Sequence, residues 1–241
     1  LATGTQDSEG DGTQSAAWCA GGYQSGGNNA TNTQTYNGTA WSEQNNLSTA
    51  RASLCGGIGI QTAAIAVGGQ TPSYTTATEE YDGSSWTAVT SLPTATKGMM
   101  RAGTQTAGII ATGYDGSYRA YAETWDGSSW TEGTDLNSPS INRAGIGTST
   151  ATIGASGDDG TSIISIVEEW NGSSWTEIAD VNTGRSMLAG SGIVTDGIIF
   201  GGTVANGDKT EAWDGTSWTE LNDLSTARIG GMGTPAGTGS V

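Results

Sequence analysis

Side chains that hold protons, metals or electrons are scarce in this chain. Its 241 residues include no histidine, two cysteines, eight lysines and arginines, and 24 acidic residues. Without imidazole there is no Ser–His–Asp triad, no histidine general base and no His-ligated haem. Cys19 and Cys55 lie 36 positions apart, which is neither a zinc site nor a redox motif. Each sits in a short run of small apolar residues, which reads as buried thiols on neighbouring strands; whether they pair is left open by spacing alone. The formal net charge of −16 repels a phosphate backbone, so no nucleic-acid partner is expected. The longest apolar stretches, such as 63–67, are far too short to cross a bilayer, so no membrane insertion is expected either. No basic region followed by an apolar one opens the sequence, and no secretory signal is read there.

The most individual cluster is GYDGSYRAYAE at 113–123. Tyr114, Tyr118 and Tyr121 with Arg119 have the chemistry to stack on a sugar or grip a partner protein, although Tyr121 is as well suited to packing. Asp158 and Asp159 in SGDDGTS, and Asp7, Glu9 and Asp11 near the start, offer oxygen ligands for calcium. Neither has the spacing of a known calcium loop, and both read as solvated acidic loops. No catalytic, cofactor or metal residue is assigned.

The elements that position these residues are set by repetition. YNGTAW occupies 36–41, YDGSSW 81–86, WDGSSW 125–130, WNGSSW 170–175 and WDGTSW 213–218, with leading aromatics 45, 44, 45 and 43 residues apart. Each copy places Asx–Gly between two aromatics. This is a strong hairpin signal, because glycine tolerates positive φ and Asx a tight turn. Gly38, Gly83, Gly127, Gly172 and Gly215 are thus turn residues, and Trp41, Trp86, Trp130, Trp175 and Trp218 are packing residues. Asp82, Asp126 and Asp214 alternate with Asn37 and Asn171 at one position, so turn geometry explains them better than calcium. After each Trp come Leu or Val, a polar turn and a base: LSTAR at 47–51, LPTATK at 92–97, a looser copy reaching Arg143, VNTGR at 181–185 and LSTAR at 224–228. Arg51, Arg185 and Arg228 therefore read as inter-blade contacts rather than catalysts. Apolar segments ending in glycine follow (62–69, 106–113, 149–157, 196–202), and 13–22 has the same form.

Four short strands per period of about 45 residues specify an all-β fold, a β-propeller of four-stranded antiparallel blades spanning 1–241 as one domain. Five blades are expected, with six as the alternative. The C-terminal strand in 225–241 is expected to close the ring by completing the N-terminal blade, for which residues 1–50 supply the second to fourth strands.

Paired glycines, an acidic–aromatic strand and a Trp after a short turn resemble the kelch repeat, related to the central domain of galactose oxidase. EEYDGSSWT at 79–87, LSTAR at 47–51 and GTQTAGIIATG at 103–113 resemble in particular the kelch-type repeats in structural proteins of marine tailed phages, notably cyanophages. The resemblance covers essentially the whole chain. Copper chemistry does not carry over, since its histidine ligands are missing. The resemblance implies a non-enzymatic structural or binding propeller, without cofactor, located on a virion or otherwise outside cells. It would be displayed in many copies on capsid, tail or fibre and contact other virion proteins or host-surface glycan. An extracellular lectin or adhesin, or a carbohydrate-active enzyme using a carboxylate pair, are the alternatives.

Overall fold

The computed structural model describes residues 1, 3–53, 56–203 and 205–230; they form strands and turns, with no helix among them. Twenty strands make five four-stranded antiparallel sheets, each a simple meander, and the sheets are the blades of a five-bladed β-propeller. Blade 1 comprises Glu9–Thr13, Ala16–Ala20, Thr33–Tyr36 and Trp41–Gln44. Blade 2 comprises Gly56–Ile60, Ala63–Val67, Thr78–Tyr81 and Trp86–Ala88. Blade 3 comprises Met100–Thr104, Ala107–Tyr114, Tyr118–Trp125 and Trp130–Glu132. Blade 4 comprises Ala144–Thr148, Ala151–Asp158, Ile163–Trp170 and Trp175–Ile178. Blade 5 comprises Ala189–Ile193, Asp196–Phe200, Thr210–Trp213 and Trp218–Glu220. A two-stranded ribbon, Gln70–Thr71 with Ser73–Tyr74, interrupts blade 2 between its second and third strands.

The expectation about closure is corrected. Blade 1 takes all four strands from the first 44 residues, so the place reserved for a C-terminal strand is filled by Glu9–Thr13. Residues 225–230 carry no strand, and 231–241 lie outside the described residues. The innermost strands show why EGDGT is a strand rather than an acidic loop. They read EGDGT, GGIGI, MRAGT, AGIGT and AGSGI, with the same glycine in the fourth place of each. That glycine has φ between 111° and 133° in all five blades. A Cβ there would strike the backbone of the adjacent strand, as at Gly12 against Ala17 Cα (2.5 Å).

The signature Trp packs against the aromatic that leads the same hexapeptide. Tyr36–Trp41, Tyr81–Trp86, Trp125–Trp130, Trp170–Trp175 and Trp213–Trp218 have ring centroids 4.9–5.4 Å apart and planes inclined at 36–40°. From the second copy onward each pair also docks on the preceding blade. Trp86 meets Trp18 edge-on at 5.6 Å and donates its indole N–H to Thr33 Oγ1 (2.8 Å), both on blade 1. Trp213 and Trp218 pack with Ile146, Ile153 and Val167 of blade 4. Trp175 and Trp218 are buried, and Trp86 and Trp130 partly so. The Asx turns behave as geometry requires. Asp126 Oδ1 accepts from the backbone N–H groups of Ser128 and Ser129 (both 2.8 Å), and Asn171 does the same for Ser173 and Ser174 (both 3.0 Å). Bonds to the ionised form from the Ser and Thr hydroxyls and backbone N–H groups of these turns hold Asp82, Asp126 and Asp214 down at about 2.

The linker entering each blade forms a clamp between neighbours. The carbonyls of Arg51, Thr96, Ser140, Arg185 and Arg228 accept from the N–H of Gly22, Gly69, Gly113, Gly157 and Gly202, each on the blade before. These five residues are therefore structurally equivalent, which corrects the register of the second and third bases: Lys97 is one position late and Arg143 three. Where the equivalent residue is arginine and enters blade 2 or 5, its guanidinium reaches forward to a buried glutamate on the third strand. Arg51 pairs with Glu79 at 2.8 Å and Arg185 with Glu211 at 2.9 Å. At blade 4 Arg143 folds back to pair with Glu168 (3.4 Å) while donating to Ser140 Oγ (2.6 Å). Each glutamate also accepts a backbone N–H from the turn before the arginine: Ser48 for Glu79, Asn137 for Glu168 and Asn182 for Glu211 (2.7–2.8 Å). Blade 1 has Gln34 in that place. It is held by the backbone of Thr3, and Arg228 is exposed.

Candidate functional site: the loop face

The two ends of the ring differ. At one end the links between first and second strands are two residues long in every blade (14–15, 61–62, 105–106, 149–150, 194–195). The Asx turns between third and fourth strands at that end are always four residues long (37–40, 82–85, 126–129, 171–174, 214–217). At the other end the second-to-third connections vary: 21–32, 68–77, 115–117, 159–162 and 201–209. The linkers entering each blade also lie at this end, so the connections of variable length collect on one loop face.

Blades 3 and 4 carry hairpins that extend beyond a β-bulge. The bulges fall at Thr112 (φ 63°) and Ser156 (φ 62°), between Ala111/Gly113 and Ala155/Gly157. Past the first bulge Tyr114 faces Tyr118 across the hairpin, and their rings meet edge-on at 5.2 Å. Tyr74, from the ribbon in blade 2, meets Tyr114 edge-on at 5.8 Å on its other side. Lys97 Nζ lies 5.5 Å from the centre of the Tyr74 ring and donates to Gln70 Oε1 at 3.1 Å. Lys97 and Tyr114 also exchange backbone hydrogen bonds, which fixes the linker to the hairpin. Tyr118 leans on Gly160 of blade 4, where a Cβ would collide with the phenol ring. Burial and the carboxylates of Asp158 and Asp159 raise the Tyr118 phenol above its usual range. Arg119, 47% exposed, is held to Asp115 at 2.9 Å.

Of the four residues singled out in the sequence, the structure brings Tyr114, Tyr118 and Arg119 to one hairpin tip. Tyr121 is placed elsewhere, packed against the apolar cluster between blades 2 and 3. The sequence reading missed Tyr74 and Lys97. The long connection at 68–77 and the lysine standing near the expected arginine were the available signals. Asp158 and Asp159 cap their own turn, accepting from the N–H groups of Gly160, Thr161 and Ser162 (2.7–2.8 Å). Among the described residues no three His, Cys, Asp or Glu side chains converge as a metal site would need. Cys19 is buried and unpaired, its thiol pushed up to about 11 by burial; Cys55 lies outside the described residues.

The same face opens onto an axial cavity of about 100 Å³, lined among others by Glu9, Ser53, Arg101, Asn142 and Met187. Arg101 reaches from blade 3 past blade 2 to blade 1. Its Nη1 pairs with Glu9 at 2.5 Å, and its Nε and Nη2 donate to Gly57 O (3.0 Å) and Gly10 O (3.2 Å). Desolvation raises Glu9 and takes Asp11 to about 7. Asp11 accepts from the N–H groups of Gly12 (2.7 Å) and Gly59 (3.0 Å), so its two oxygens serve the inner strands. The expected solvated acidic loop is thus the inner strand of blade 1, its carboxylates turned to Arg101 and to backbone N–H groups.

No protein-family model matches the chain, and no curated protein matches it. The fold and its loop face define a five-bladed β-propeller whose connections vary in length on one side only.

Proposed function

We propose that this propeller is a non-enzymatic, kelch-type structural and binding module displayed on a phage particle, on capsid, tail or fibre. It uses its loop face, in many copies, to engage host-surface glycan or a neighbouring particle protein. The observation that carries this reading is the sidedness of the ring: connections of fixed length at one end, and connections of five lengths with an aromatic row at the other. A rigid scaffold that varies only its loops on one face is the usual architecture of recognition. The kelch and phage assignments rest on the resemblance of the repeats. The engagement of four buried and half-buried carboxylates supports a binding role over hydrolysis. Glu79, Glu168 and Glu211 are committed to buried ion pairs, and Asp11 to backbone donors.

The test is to array the immobilised chain against glycans and purified particle proteins and to look for the chain in purified virions. Binding with no release of reducing ends is expected. Turnover of a glycan, or binding confined to DNA, would overturn the reading. A cellular lectin or adhesin would use the same face, and absence of the chain from virions would favour it.

A further inference from the structure

We propose that the tyrosine row spanning blades 2 to 4 is a subsite for a neutral pyranose glycan, with Tyr114 and Tyr118 as its stacking platform and Tyr74 as its flank. This rests on the binding role proposed above and names its ligand class and residues. Tyr74, Tyr114 and Tyr118 are each partly exposed, and none of their hydroxyls bonds to another described residue. The row therefore presents partly exposed aromatic rings together with three hydroxyls that meet no described partner, which suits a sugar ring with an apolar C–H face and a hydroxyl rim.

The platform is already ordered. Two edge-on ring contacts, the Lys97–Tyr114 backbone bridge and the seat of Tyr118 on Gly160 fix the side chains before anything binds. Such preorganisation removes much of the entropy cost of binding. Charge selects a neutral ligand. Both cations of the row are engaged, Lys97 with Gln70 and Tyr74 and Arg119 with Asp115. Asp158 and Asp159 stand beside Tyr118, and the chain carries −16 overall, so an anionic sugar meets repulsion without a free cation.

The experiment titrates the full chain with maltotriose, cellotriose, chitotriose and sialyllactose, followed by saturation-transfer NMR and calorimetry. At least one neutral trisaccharide should bind and sialyllactose should not. Tyr118→Ala and Tyr114→Ala should each weaken binding about tenfold or more. Gly160→Ala keeps every aromatic but drives a methyl into the Tyr118 ring, and should weaken binding comparably. Tyr23→Ala, on the blade 1 loop, should leave binding unchanged. Preferential binding of sialyllactose, or neutral binding that survives all three blade 3 and 4 variants, overturns the proposal. If no trisaccharide binds while the ring still captures other glycans or particle proteins, this subsite falls and the general binding role stands. If the ring captures nothing, both fall.

Discussion

Glu123 is the position where this propeller should respond to pH. It occupies the third-strand place of Glu79, Glu168 and Glu211 and is 5% exposed, yet it has lost both partners that the others have. The linker residue equivalent to Arg51 and Arg185 is Thr96, and the turn residue that offers its N–H to the other glutamates is Pro93, which has none. Glu123 Oε2 is buried without a hydrogen bond. Desolvation, with the nearby carboxylates of Glu132 and Asp135, raises Glu123 from 4.5 to about 7. In the unfolded chain it releases its proton near 4.5, whereas the folded chain keeps it until about 7, so folding takes up a proton between those values. The stability is therefore fully present below pH 4.5 and lost as pH rises through 7. The full displacement corresponds to about 3 kcal/mol, and the polarisable surroundings that soften even buried charges leave about 1–2 kcal/mol.

Glu123→Gln should lie close to the parent at pH 5 and exceed it at pH 8 by about 3–6 °C in melting temperature for a chain of this size. Glu9 and Asp11 are displaced in the same direction but are present in both proteins and cancel in the difference. Pro93→Asn, which restores the missing N–H, should flatten the profile part of the way. Calorimetric melts from pH 5 to 8 decide the matter. Parallel curves for parent and Glu123→Gln would refute the reasoning.

The remaining expectations concern the repeat. Trp175→Ala removes a ring buried between blades 3 and 4 and should cost about 3–5 kcal/mol in urea unfolding; Trp41→Ala, on a partly exposed pair, should cost clearly less. Arg185→Met leaves Glu211 buried without its cation and should lose about 3–5 kcal/mol, most of it regained in the double variant with Glu211→Leu. A double variant no more stable than the single one would mean that the clamp acts through the carbonyl contacts alone. Asp126→Asn should melt with the parent, because Asn37 and Asn171 do the same work in their turns, while Asp126→Ala should melt lower.

The blade count, the turns and the packing tryptophans were legible because each is written several times with the same spacing. Glu9–Thr13 was not, since acidic residues among glycines look solvated. Only alignment of the glycine pair in EGDGT with GIGI, GIGT and GSGI reveals a strand. The register of the bases failed at Lys97 and Arg143 because charge was followed, whereas the shared feature is a backbone carbonyl, which any residue supplies. The row was half visible. Tyr114 and Tyr118 stand together in sequence, but Tyr74 reaches them across a blade boundary that local spacing does not encode.

The glycines beside the axis fix a circumference. At Gly57 a Cβ would lie 2.8 Å from Gly10 N, and at Gly190 one would lie 2.9 Å from Gly145 O, so these inner strands touch through bare backbone. The fifth member of that set is Arg101, whose side chain leaves blade 3, passes blade 2 and ends on blade 1. A residue can span two intervals only while the perimeter stays this short. Duplicating one more 45-residue copy would be trivial as a genetic event, but the hole would widen and Glu9 would move beyond the guanidinium's reach. The widened ring would hold a charged carboxylate with no cation at its centre. Arg101 thus ties blade 3 to blade 1 past blade 2, at the spacing that five copies set.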